Sequence, residues 1–197
     1  MDSFDQYHPN DDMYRSIGTL VVFSCLTIML LYTFDVVSHL ADTGASLSTA
    51  SPLPLFLWHL LCLLVGLAAI VYMYRMKTGH MIVRLHDKKA DVIIHPLRLE
   101  KFVTFSSWTL ILNVIYFAFA TIASYLLLVE SSPPQWLNQF LAGSFVTALG
   151  ASFLTSTVVR FIILPGNHAD EEHHKRQFWF HNQVMHNFCT IFLVVEI

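Results

Sequence analysis

Residues 53–74 read LPLFLWHLLCLLVGLAAIVYMY, and no aspartate, glutamate, lysine or arginine interrupts them. A helix rises about 1.5 Å per residue, so about 20 apolar residues cross the ~30 Å hydrocarbon core of a bilayer. The stretch follows the breaker Ser51-Pro52-Leu53-Pro54 and ends at Arg75. It reads as a membrane span, and it sets the expected fold class: an all-α, polytopic transmembrane helix bundle.

Four further segments extend the pattern. An uncharged run from Ser16 to Phe34 precedes it. A third span is expected over Phe102 to Val129, stopped by Ser131-Ser132-Pro133-Pro134, and a fourth over Phe140 to Leu164, stopped by Pro165-Gly166-Asn167. A fifth begins near Phe178 and runs to Ile197, with a polar first half: His181, Asn182, Gln183, His186 and Asn187. The expected organisation is a polar N-terminal segment (1–15), two helices (16–74), a basic loop (75–101) and three helices (102–197).

Composition agrees. Of the 197 residues 55% are hydrophobic and 13% charged, whereas soluble domains carry about 25% charged residues. Too little polar surface exists to cover a soluble core, and the apolar content excludes disorder. A net charge of −3 leaves no broad basic surface for nucleic acid. The leader carries Asp2, Asp5, Asp11 and Asp12 against Arg15 alone. That is too acidic for a secretory signal or a mitochondrial transit peptide. Cys25, Cys62 and Cys189 lie in apolar stretches without zinc-ligand spacing.

The basic residues test the segmentation independently, because loops on the inner side collect lysine and arginine. Arg15 precedes the first span. Arg75, Lys77, Arg84, Lys88, Lys89, Arg98 and Lys101 lie between the second and third. Arg160, Lys175 and Arg176 flank the end of the fourth. All 11 basic residues fall on one side if the N-terminus is inside. Five spans, N-terminus in and C-terminus out, follow. Within the 75–101 loop, Met81–His86 and Asp91–His95 are β-branched-rich runs around Asp87-Lys88-Lys89-Ala90. Two readings stand open: a β-hairpin, or an interfacial segment lying on lipid. Either way its basic residues are the expected contacts to lipid or partner.

Polar residues inside spans are costly and face the bundle interior. Asn113 near the middle of the third span and His186 in the fifth call for interior partners. Asn182, four residues before His186, shares its helical face and can fix the imidazole tautomer. Ser106 and Thr104, at the start of the third span, lie at a depth similar to His186. A hydroxyl and a histidine at equal depth are the minimum for a nucleophile–base pair. The alternative is plain interhelical hydrogen bonding. His59 lacks a second histidine at haem spacing, and Glu171, Glu172, His173 and His174 form a polar loop cluster. No cofactor or metal is expected.

Two motifs carry a family resemblance. Lys101-Phe102-Val103-Thr104-Phe105-Ser106-Ser107-Trp108, continuing to Asn113 and Tyr116-Phe117, is the first. Asn182-Gln183-Val184-Met185-His186, followed by Phe192-Leu193-Val194-Val195-Glu196, is the second. Both resemble the androgen-induced-protein family and its Rolling-stone-like relatives, over about residues 102–197. The resemblance implies a multi-pass lipid hydrolase with an intramembrane threonine nucleophile and a histidine, acting on fatty acid esters of hydroxy fatty acids. Anchoring on Lys-Phe-x-Thr-Phe makes Thr104 the nucleophile; anchoring on Asn113 and Tyr116-Phe117 without a gap makes it Ser106. The gapless alignment favours Ser106, since two inserted residues rotate a helix face by about 200°. The family fold continues for about two spans beyond the histidine helix, where this sequence stops.

Two functional expectations follow. The first is a non-catalytic accessory subunit of a larger membrane complex, for example one in an organellar inner membrane such as the mitochondrial one. It would be built on a degenerate hydrolase-like bundle and contact other subunits through the N-terminal segment and the 75–101 loop. The second is an intramembrane lipid ester hydrolase with Ser106 or Thr104 as nucleophile, His186 as base and Asn182 orienting it.

Overall fold

The computed structural model describes residues 51–85, 90–163 and 175–196, with Val22 and Met29 as single helical positions. The first expected span and the loop cluster at 171–174 lie outside the described residues. The described chain is mostly helical. Its elements are α1 (Pro52–Arg75), β1 (Met81–Leu85), β2 (Ala90–Ile94), a 3-10 helix (Arg98–Val103), α2 (Phe105–Leu128) and α3 (Gln135–Val158). Then come α4 (Phe180–Gln183) and α5 (Cys189–Val195), joined by a π-helical turn, Val184–Phe188. A second π-turn, Val159–Ile163, extends α3. Three helices, Pro52–Arg75, Phe105–Leu128 and Gln135–Phe161, are long and apolar enough to cross a membrane. β1 and β2 pair antiparallel, with Val83 opposite Val92.

Local chemistry shifts the helix ends from those expected. α2 starts at Phe105 rather than Phe102 because the Thr104 hydroxyl accepts the Ser107 N–H at 3.2 Å, an N-cap. The residues before it form the 3-10 helix, where the Glu100 carboxylate accepts the Leu97 N–H at 2.8 Å. α3 starts at Gln135 rather than Phe140, directly after Pro134; an apolar count passes over Gln135 and Asn138, but the backbone does not. α2 ends in a Schellman motif: Ser131 N–H donates to Leu126 O at 2.8 Å and Glu130 N–H to Leu127 O at 3.1 Å. Glu130 takes the left-handed position there, φ 57°, that glycine usually fills.

α1 buries His59, Cys62, Gly66, Ala69 and Met73, one stripe at helical spacing. Leu53, Leu57, Leu61 and Leu64 stay about half exposed on another face. The helix is apolar on every side, so hydrophobicity does not choose the buried face. Small residues do: a Cβ on Gly66 would lie 2.6 Å from Val114 Cγ2 on α2. In lipid, helices gain by close approach and polar contacts, since tails are as apolar as leucine. One core cluster joins Cys62, Tyr116, Phe117, Ala120, Ala148 and Leu193, and a second joins Ala69, Met73, Leu110, Val184, Met185 and Cys189.

Candidate functional site

α1 and α2 run antiparallel, which brings the start of α1 beside the end of α2. α5 ends at the same level. Three polar side chains meet there. His59, on the third turn of α1, is 6% exposed. Its Nδ1 lies 3.1 Å from the Ser124 hydroxyl on α2. Its Nε2 lies 3.0 Å from Glu196 Oε2, just past α5. The glutamate is held by two more donors: Trp58 Nε1–H to Oε1 at 2.7 Å, and the Tyr116 hydroxyl to Oε2 at 3.2 Å. Ser124 also approaches the Ala120 carbonyl at 2.9 Å. Charge-assisted donors of this kind are the strong ones, and in an apolar interior they fix one geometry.

Two proton arrangements satisfy the chain. In one, neutral His59 donates from Nε2 to Glu196 and accepts the Ser124 proton at Nδ1. In the other, an imidazolium donates from both nitrogens, and Ser124 donates to Ala120 O. The first places a hydroxyl, an imidazole and a carboxylate in the order that nucleophilic catalysis uses.

The opposite end of the bundle holds the residues singled out from sequence. Thr104 Oγ1 lies 2.6 Å from Ser107 Oγ, and the Ser107 hydroxyl donates to Lys101 O at 3.1 Å. Ser107, not Ser106, faces the last helix: its hydroxyl lies 3.9 Å from Met185 Sδ, beside His186. Ser106 is half-buried on the first turn of α2. Among the described residues no hydrogen bond joins Thr104 or Ser106 to His186. Asn182 Nδ2 donates to Arg176 O at 2.7 Å. The four-residue spacing from Asn182 to His186 presumes a regular α-helix, but the π-turn at Val184–Phe188 adds a residue to the turn and rotates His186 relative to Asn182. The carbonyl of His186 accepts the Ser156 hydroxyl of α3, which also meets Thr190 Oγ1 at 2.9 Å.

Lys101, expected among the outward contacts, turns inward. Its ammonium donates to Met73 O at 3.0 Å and to Met76 O, closing the C-terminus of α1. Near-complete burial lowers its pKa from the ordinary lysine value. Arg75, Lys77 and Arg98 are exposed; the Arg84 side chain, Lys88 and Lys89 lie outside the described residues. Asn113 does find an interior partner, donating to Ser152 Oγ at 3.0 Å and to Thr109 O at 2.9 Å. Thr109 and Thr155 meet at 3.1 Å on the same interface.

Sequence reasoning met His59 and, within the family motif, Glu196 but did not pair them, and it passed over Ser124. The only signal was position: His59 follows the start of one expected span, and Ser124 and Glu196 precede the ends of two others. In comparisons with known proteins, no family model, no curated protein and no solved structure matches the chain.

Proposed function

We propose that this chain is a five-span integral membrane protein, N-terminus on the basic-rich side, and an accessory subunit of a larger membrane complex. The observation that supports the reading best is how its polar groups are used. His59, Ser124, Glu196, Trp58 and Tyr116 satisfy one another inside the bundle. Thr109–Thr155, Asn113–Ser152 and Ser156–Thr190 tie α2 to α3 and α3 to α5. Long apolar side chains are left outside. At the basic end these are Leu99, Val103, Trp108, Phe161 and Phe178, each more than 60% exposed. Aromatic and apolar side chains beside exposed Arg75, Lys77 and Arg98 suit a membrane interface or a partner's apolar face. The loop over 75–101 is the proposed contact surface, with the N-terminal segment. The test is purification from native membranes in mild detergent, followed by mass spectrometry. A fixed set of membrane proteins is expected at constant stoichiometry; migration as a lone monomer overturns the reading.

A second reading, intramembrane hydrolysis of a lipid ester, is favoured by one observation. His59 bridges a hydroxyl and a carboxylate at 3.1 and 3.0 Å. The family resemblance at residues 102–197 supports the same chemistry, although it points to Ser106 or Thr104 with His186 and Asn182. Turnover of a long-chain ester by purified protein tests this reading, and its absence in folded protein removes it.

A further inference from the structure

We infer that Ser124, His59 and Glu196 form an acyl-transfer relay that accepts neutral long-chain esters at the end of the bundle remote from the basic loop. The inference rests on the hydrolase reading and moves its chemistry to a different site. Three helices bring the groups together across 65 and 137 residues of sequence. The Ser124 hydroxyl also reaches Ala120 O at 2.9 Å and Thr121 O at 3.1 Å on its own helix, so it must swing its proton from these carbonyls to His59. The carboxylate is itself positioned, with Trp58 on one oxygen and Tyr116 and His59 on the other. A base that must turn over needs its ring held at one orientation, and Glu196 is the positioning residue that does so.

The step balances with the ester and one water as the only reactants. Ser124 Oγ bonds to the acyl carbon as its proton passes to His59 Nδ1. The ester C–O bond breaks, and the alcohol leaves with that proton. Water then attacks the acyl-serine and gives a proton to His59. The acyl–Oγ bond breaks, the fatty acid departs, and Ser124 recovers its proton.

The surroundings select the substrate class. His59 lies against the Phe117 ring, centroids 6.3 Å apart. Phe56, one turn before His59, and Tyr125, next to Ser124, pair at 6.0 Å along the α1–α2 seam, with Tyr125 half exposed. An ester reaching Ser124 between these helices crosses an apolar, aromatic seam. No lysine or arginine occurs in α1 before Arg75, in the second half of α2 or in the first half of α3. Nothing among the described residues at this end is built to hold a phosphate or carboxylate headgroup.

The test uses the full chain in its membrane and a long-chain alkyl fluorophosphonate, which bonds covalently to activated serines. Mass spectrometry of the wild-type protein should find the label on Ser124, a result that needs no variant. Labelling should fall at least tenfold in Ser124→Ala and His59→Gln. Glu196→Gln should slow it at least tenfold, and Glu196→Asp should recover part of the rate, which a merely structural carboxylate would not predict. Tyr125→Ala should speed it by opening the seam. A monoacylglycerol should be hydrolysed at least tenfold faster than an anionic acyl phospholipid; the reverse order overturns the substrate class. Labelling that survives in Ser124→Ala and is lost in Ser106→Ala or Thr104→Ala overturns this site but keeps the hydrolase reading. No labelling of folded wild-type protein overturns both.

Discussion

Glu196 and His59 lie 137 residues apart and meet at 3.0 Å, both side chains 10% exposed or less. The contact closes the end of α5 onto the start of α1. Removing one member of a buried hydrogen-bonded set leaves its partners unsatisfied, at a cost of about 1–3 kcal/mol for each group. Glu196→Ala strands Trp58, His59 and Tyr116 together and is expected to cost at least that much. Glu196→Gln keeps an acceptor for part of the set and should cost clearly less. Equilibrium unfolding in bicelles gives both values, and equal losses would mean that the charge contributes nothing.

Gly66 sets the distance between α1 and α2. A methyl group there meets Val114 Cγ2 at 2.6 Å, and overpacking of this kind costs about 1–3 kcal/mol. Gly66→Ala should therefore destabilise, and Val114→Ala in the same chain should recover most of the loss. The same unfolding measurement on the single and double variants checks the pairing; additive losses would contradict it.

Lys101 predicts a pH dependence. Burial lowers its pKa below the ordinary lysine value of 10.5. Between the folded value and 10.5 the unfolded chain holds more protons than the folded one, so stability rises with pH through that window. Below the window both states are protonated, and the burial cost is fully present. Lys101→Met should remove this rising slope while also loosening the C-terminus of α1, where the ammonium serves Met73 O and Met76 O. Unfolding measured from pH 7 to 10.5 in both proteins reads the difference; parallel curves would refute it.

Asn113 on α2 and Ser152 in the last third of α3 meet at 3.0 Å. Interhelical hydrogen bonds in lipid average about 0.6 kcal/mol in coupling energy and reach about 1.7. A double-mutant cycle with Asn113→Ala and Ser152→Ala should return a value between those figures. A coupling near zero would show that Thr109 O, which also accepts from Asn113, carries the amide alone.

Much of the frame was legible in the sequence because a bilayer imposes a length. The uncharged run 53–74 needed only counting, and α1 occupies Pro52–Arg75. The breaker at Pro52 placed the start of α1, and Pro133-Pro134 the end of the α2 span; the start of α3, expected at Phe140, lies at Gln135. Helix ends set by hydrogen bonding were not legible: Thr104 capping α2 and the π-turn at Val184–Phe188 leave no mark in an apolar count. The functional positions divide the same way. Asn113 was expected to need a buried partner, and a polar group in an apolar span requires one; that the partner is Ser152 is a matter of register.

The sequence by itself therefore determined helices long and apolar enough to span a membrane, since hydrocarbon thickness and charge cost act on each segment separately. Only the tertiary structure decided which faces meet and which polar groups join. α1 is apolar all round, so Gly66 and Ala69, with the close approach they permit, selected its buried side. His59, Ser124 and Glu196 became one site because three helices pack in one particular register, and a register belongs to the pair of helices and not to either strand of sequence.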